Sequence, residues 1–377
     1  MLTWGLGEGI FLIFLPLYLQ QFGADPILIG TILGINGLVS AVVQIPAGYL
    51  ADKLGRRPVI WFNFITGVIA AWIMALAPSL GVFVAGLLLY GLTMSVMAPL
   101  NSYVQGARGK WSVGRAVSFI SAAYNFGAIL GPIIGGALGE MFNLRTAYFA
   151  TGIVFSISTA IVLFARKQPV AVPAKIKGDG HLFKNKRFVA MLVMIFPVMF
   201  AVSLPQPLAP NFLQNQRGLS LSQIGQLGSL GALGSVLLML AFGSLQSGLA
   251  LMIGQVGLVV FALLLWQGQG LVWYGLAYLA MGGYRLCRAM TVALARPVVR
   301  ASEVGLAFGM VETLNSIGYM AAPVVAGFLY DWRPQAIFPV SLAALGVTLL
   351  LSIRFLRRNG RGQRKEVGPD QEALDDA

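Results

Sequence analysis

The chain has 377 residues, 57% of them hydrophobic and only 10% charged, far from the roughly 25% charged residues of soluble domains. That excludes an ordinary water-soluble globular protein. A formal charge of +13 suits a nucleic-acid binder only where the cations gather on one folded surface, and their placement assigns them elsewhere. The single cysteine, Cys287, excludes an intramolecular disulfide.

Apolar stretches long enough to cross a hydrocarbon layer of about 30 Å as helices recur along the sequence. We place them at 4–22, 27–51, 58–77, 79–105, 114–140, 145–165, 188–213, 221–245, 248–267, 270–295, 303–330 and 334–356. The expected fold is therefore an all-α polytopic membrane protein of about twelve transmembrane helices. The first stretch is a retained helix rather than a signal peptide, because nothing basic precedes it and Gln20-Gln21-Phe22-Gly23 is a poor small-residue cleavage site. Only three residues precede Trp4, which leaves room for a short cytoplasmic leader ahead of this chain. Glu8 lies near the inner end of the first span; a carboxyl group in apolar surroundings favours its protonated form, so Glu8 is a candidate proton carrier, with snorkelling to the interface as the alternative.

Between the second and third spans runs Gly48-Tyr49-Leu50-Ala51-Asp52-Lys53-Leu54-Gly55-Arg56-Arg57-Pro58. It resembles the signature cytoplasmic loop of the major facilitator superfamily. The resemblance implies two six-helix halves with pseudo-twofold symmetry, alternating-access transport, and a conformational latch built on Gly48, Asp52, Gly55, Arg56 and Arg57. Physically, Asp52 can face the positive amino end of another helix, Gly55 permits the tight turn, and the arginines suit an anionic leaflet. The matching stretch of the second half, Gly243 to Ala250, keeps the first glycine but has neither acid nor base.

The fifth span carries Gly127, Gly131, Pro132, Gly135, Gly136 and Gly139. Small residues four apart let helix backbones approach closely, and proline bends the helix. The run is similar to the motif of drug:proton antiporters in the superfamily and favours export; close packing of the two halves accounts for it equally. An arginine usual in the fourth span of such antiporters is replaced by Leu87. Pro197, Pro205, Pro207 and Pro210 break up the seventh span and mark it as a gate. In the tenth and eleventh spans, Arg285, Arg288 and Glu312 are charges at membrane depth, and such charges are few and informative. Arg288 and Glu312 lie at similar depth and can pair. If the tenth span lines the cavity, as it does in the family, two arginines against one glutamate leave a positive site for an anionic group; an ion pair or gate lock without substrate contact is the alternative. Asn125 and Gln206 are the uncharged polar candidates beside them.

By connection, 21 of the 26 Lys and Arg fall on one side, including those of the 166–187 loop and the tail. The positive-inside rule places that loop and both termini in the cytoplasm and accounts for the net charge without nucleic acid. Gly91, Gly127, Pro132 and Gly136 meet Gly282, Gly318, Pro323 and Gly327 at a constant offset of 191, while Gly30 and Gly48 meet Gly225 and Gly243 at 195. The repeat divides the chain into a first half (1–166), a central loop (167–187), a second half (188–357) and a polar tail (358–377). It also sets an axis along the membrane normal with the solute path between the halves.

With one histidine, His181, and no metal-ligand cluster, phosphate-cradling loop or nucleophile motif, an enzyme is not expected. No cofactor is expected, and an ion gradient, most simply of protons, drives transport. The expected function is secondary transport, led by proton-coupled efflux of amphipathic organic compounds. Uptake of an organic anion or sugar-like solute and lipid or lysolipid flipping are the alternatives; a non-transporting membrane sensor is the competing class. The expected partners are a small-molecule substrate and membrane lipid, and the expected setting is a monomer in a bacterial plasma membrane.

Overall fold

The computed structural model describes residues 1–166, 185–299 and 303–366, except for some side chains within the helices. Among the described residues there is no strand. In chain order the helices are α1 (Leu2–Leu12, then Leu15–Gln21), α2 (Pro26–Leu54), α3 (Arg56–Leu76), α4 (Leu80–Gly91, a 3-10 segment, then Met97–Ala107), α5 (Val113–Met141) and α6 (Leu144–Leu163). The second set is α7 (Lys186–Ser203, then Ala209–Arg217), α8 (Leu221–Phe242), α9 (Ser247–Gln267), α10 (Leu271–Met281, then Gly283–Ala295), α11 (Val304–Trp332) and α12 (Ile337–Glu366).

Eight of these helices are each long and apolar enough to cross a membrane, and the bent pairs of α1 and α4 bring the number to ten. The other two are α10, which is broken and carries two arginines, and α11, whose Glu312 and Asn315 dilute its apolar pattern. Side chains such as Val272 and Trp332 are 77% and 69% exposed, as expected where the solvent of the outer surface is lipid.

Local chemistry sets the helix ends. Asp25 accepts from Leu28 N at the start of α2, Asn143 from Thr146 N at α6, and Ser220 forms a reciprocal capping box with Gln223 at α8. Asn185 caps α7, so that helix begins two residues before its apolar stretch. At the other end α12 runs on to Glu366, ten residues past the apolar stretch that ends at Leu356, so the first part of the polar tail is helical.

Three helices expected to be continuous are broken. α1 bends by 43° after Leu12, α4 loosens into a 3-10 segment after Gly91, and α10 breaks at Gly282. The break in α7, between Ser203 and Ala209, is the one its prolines foretold. The breaks come in pairs: Gly91 and Gly282 are 191 residues apart, and so are Ile13 and Leu204. Close backbone approach explains the site in α10, where a Cβ on Gly282 would lie 2.3 Å from the carbonyl carbon of Gly234.

Each half repeats the same neighbour relations. The first helix packs on the fifth, the third on the fourth and sixth, and the second on the fourth. The halves are joined by α2 against α11 and α5 against α8, and these two seams are near copies. A Cβ on Gly30 would lie 2.2 Å from Pro323 O and 3.1 Å from Gly327 Cα; one on Gly225 would lie 2.2 Å from Pro132 O and 3.1 Å from Gly136 Cα. The sequence offsets pair the same residues, so the pseudo-twofold axis runs between the seams. Asn211 donates to the carbonyl of Pro16, its equivalent 195 residues earlier, and Asn215 to Gln20 at the same separation. Pairs of equivalent residues in contact lie on the axis itself.

The seams close only one end of the bundle. Along α2 the distance from an added Cβ to its nearest neighbour grows from 2.2 Å at Gly30 to 2.7 Å at Gly34 and 3.4 Å at Gly37, while at Gly309 on α11 nothing lies within 4 Å. The helices therefore diverge toward the end that carries the Arg56–Arg57 turn. The closed end is tied further by Glu140, which accepts from Ser222 N at the amino end of α8, and by Gln20, whose side-chain oxygen accepts from Asn211 and Asn215.

Candidate functional site

The divergence of the halves leaves a cavity whose wall at mid-depth carries charge. Arg285 and Arg288 are three residues apart on the second segment of α10 and share a face. Arg285 Nη1 donates across the cavity to Asn125 Oδ1 of α5 at 3.0 Å. Arg288 stays within its half, where Nε and Nη2 donate to Glu312 Oε2 at 3.3 and 3.0 Å. The two side chains of this ion pair are 44% and 36% exposed. Tyr284 stands beside Arg288 and packs at 6.1 Å against the ring of Tyr319. Beneath the pair the hydroxyl of Thr291 donates to Asn315, which is buried.

Glu8 is in the opposite half and is 5% exposed, so it does not snorkel to the interface. A glycine-rich α1 makes its position possible: Gly5, Gly7 and Gly9 let α5 and α6 approach until a Cβ at any of them would collide. The carboxylate is held by three donors, Trp4 Nε1 at 3.1 Å, the hydroxyl of Tyr90 from α4 and the hydroxyl of Tyr124 from α5. These three partners escaped the sequence reading, because an aromatic residue in an apolar span carries no mark that distinguishes a hydrogen-bond donor from a packing residue. Tyr124 also stands beside Arg285 and next to Asn125 in the chain, so the buried Glu8 cluster and the exposed arginine face of α10 meet there.

Gln206 does not join them. Its side chain donates to Val202 O one turn back, within the break of α7. The glycine run of α5 divides its work. Gly127, Gly131 and Gly135 face α1, where a Cβ would lie 2.1, 2.5 and 2.0 Å from the carbonyl oxygens of Leu2, Leu6 and Ile10, whereas Gly136 faces Leu221 of α8. Packing of the two halves thus accounts for Gly136 and for Pro132, whose carbonyl meets Gly225, but the other three glycines pack the first half upon itself. The α-helical period explains this, since residues four apart share a face while Gly136 is one residue round from Gly135.

In the signature loop Gly55 has φ +90°, the left-handed region that glycine enters without strain. Arg56 Nη1 donates to Ser102 O of α4 at 2.9 Å, and Arg57 lies 3.9 Å over the ring of Trp61. Both arginines therefore make contacts within their own half. The backbone at Gly48 and Asp52 is helical, but the surroundings of their side chains lie outside the described residues, as do 167–184 and the last part of the tail. Among the described residues no group of His, Cys, Asp and Glu is arranged to hold a metal.

Comparison with known proteins agrees with this architecture. The profile described as Major Facilitator Superfamily matches residues 2–283 and 191–374. An uncharacterized MFS-type transporter of Methanocaldococcus jannaschii is 25% identical over 347 residues, covering 86% of this chain and 88% of its own. The quinolone resistance protein NorA of Staphylococcus aureus is 23% identical over 384 residues, covering 96% and 95%. Among solved structures, the nucleoside transporter NupG superposes with a TM-score of 0.77 at 17% identity, over 94% of this chain and 96% of that one. Two repeated six-helix halves, glycine seams at one end and a charged cavity between them are thus set in a known family: the chain is an integral membrane protein of the Major Facilitator Superfamily.

Proposed function

We propose that this protein is a proton-coupled secondary transporter that moves an amphipathic organic solute bearing an anionic group by alternating access. The observation that carries the reading is the cavity wall, where Arg285 and Arg288 stand with Glu312 at its surface and Glu8 lies behind Tyr124. A guanidinium at membrane depth is costly unless function retains it, and its planar fork recognises carboxylate, sulfonate or phosphate oxygens in pairs. By the positive-inside rule the open end, the 166–187 loop and both termini are cytoplasmic, which makes this conformation inward-open, in a bacterial plasma membrane, with the protein acting as a monomer.

A second reading, export of amphipathic compounds in exchange for protons, is favoured by the similarity to the quinolone resistance protein and by the glycine–proline run of α5. Proteoliposomes loaded with a pH-sensitive dye test both against a panel of organic acids, dyes, sugars and lysolipids. Proton influx that accompanies an entering organic anion, absent in Glu8→Gln, is the expected result. Proton entry only as a solute leaves supports export, and solute movement with no proton flux overturns the coupling.

A further inference from the structure

Four charged side chains occupy the middle of the bundle, and they divide into two neutral sets. Arg288 and Glu312 form one directly, within the second half, through two hydrogen bonds. Glu8 and Arg285 form the other indirectly and across the halves. The Tyr124 hydroxyl donates to Glu8 Oε2 on one side and stands beside the Arg285 guanidinium on the other, while Arg285 Nη1 holds Asn125, the next residue of α5. We propose that Tyr124 couples a proton on Glu8 to the anion affinity of Arg285, so that the cavity takes up one proton and one monoanionic group together. This rests on the proton-coupled reading above and narrows it to solutes with a single negative charge.

Hydrogen-bond direction and charge link the two groups. Among the described residues, α1 itself gives Glu8 a hydrogen bond from Trp4, α4 one from Tyr90 and α5 one from Tyr124, while α3 and α6 present Phe64 and Phe155 against the Trp4 ring. An ionised carboxylate only accepts, so both tyrosines and Trp4 must donate to it. With its proton directed at Glu8, Tyr124 has only lone pairs to offer Arg285, and a carboxylate–phenol–guanidinium chain strengthens itself by polarisation. In that state Arg285 has its counter-charge and is drawn toward the first half.

A proton delivered from water to Glu8 removes the charge. The protonated carboxyl must now donate, Tyr124 ceases to feed a carboxylate, and the hold on Arg285 weakens. The four groups then sum to +1, and the guanidinium, already exposed to the cavity, meets an anion without a competing carboxylate. Linkage requires the reverse as well, so an anion on Arg285 raises the proton affinity of Glu8 by the same factor. A dianion leaves the cavity negative and is disfavoured. A neutral solute has no effect on the proton. Glu8 reaches Arg285 only through α5, so a movement of the halves that separates Tyr124 from Arg285 also resets the coupling.

Benzenesulfonate is a suitable probe because, as the anion of a strong acid, it keeps its single charge from about pH 4 to 8, so its own ionisation does not follow the pH. Its equilibrium binding to the purified full-length protein in detergent is expected to tighten about tenfold across that range as pH falls, within the usual scale of coupling between sites, with proton uptake from weak buffer on addition. Glu8→Gln should bind at the low-pH level throughout. Tyr124→Phe, which removes one hydroxyl, should keep binding yet flatten the pH profile, a change that loss of structure alone would not produce; melting temperatures check that both variants are folded. A wild-type pH profile in Tyr124→Phe overturns the proposal, as does pH-dependent binding in Glu8→Gln. Equal wild-type binding at both pH values overturns it while leaving transport intact. Absence of binding by folded protein at every pH overturns the anion assignment on which it rests.

Discussion

At the scale of single residues, the pair Arg288 and Glu312 shows how a buried-charge rule changes once a cavity is present. On lenient insertion scales an unpaired charge at membrane depth costs about 2.5–3.5 kcal/mol. Side chains 44% and 36% exposed keep part of their hydration, which lowers the expected cost of breaking the pair to about 1 kcal/mol. Arg288→Met is therefore expected to reduce expression modestly, and Arg288→Met with Glu312→Gln to restore it. If the pair serves only to neutralise charge, the double variant concentrates solute as the wild type does. If it contacts solute or carries coupling, the double variant folds but does not concentrate solute, and uptake assays on reconstituted protein separate the two outcomes. Glu8 is the contrasting case. At 5% exposure its carboxylate depends on Trp4, Tyr90 and Tyr124, and leaving any of the three without a partner has the cost of a buried unsatisfied group.

At the scale of elements, the glycine seams make a graded prediction. A methyl group at Gly30 meets a proline carbonyl at 2.2 Å, which is backbone and cannot give way, so α2 and α11 must separate at the closed end. Gly225→Ala faces the same obstacle at the symmetric seam. Each substitution is expected to shift the population away from this conformation, and the two shifts should be of similar size, about tenfold for a few ångströms of lost packing worth about 1.4 kcal/mol. Gly309→Ala, with nothing within 4 Å, is the control and should leave the population unchanged. Spin-label distances between the ends of α2 and α11 report the shift directly. An unmoved distance in Gly30→Ala would show that the seam is not the closed gate.

At the scale of the whole molecule, the prediction is topological. Single cysteines introduced into a Cys287→Ser background should divide by side. Positions in the 166–187 loop, such as Lys177, and Gly309 near the open end should react with impermeant reagents only from the cytoplasm. Phe142, at the turn between α5 and α6, should react only from outside. Labelling of Lys177→Cys from outside would reverse the orientation and, with it, the reading of this state as inward-open.

The sequence alone determined whatever depends on summed composition and on local chemistry. Hydropathy marks spans because the bilayer penalises each unsatisfied polar group and each charge in its path, and Lys and Arg placement separates the two sides. The repeat was legible because a glycine needed for backbone contact tolerates no substitute, so Gly30, Pro132 and their equivalents kept their spacing. Gly55 and the prolines of α7 likewise declared their turn and break locally. Tertiary structure decided what depends on which faces meet. The break at Gly282 follows from the backbone of Gly234 on the neighbouring helix, and the division of the α5 glycines between α1 and α8 follows from helix rotation. Trp4, Tyr90 and Tyr124 became a carboxylate cradle only when segments distant in sequence came together, because a hydrogen bond is fixed by position and direction, neither of which a residue type carries by itself.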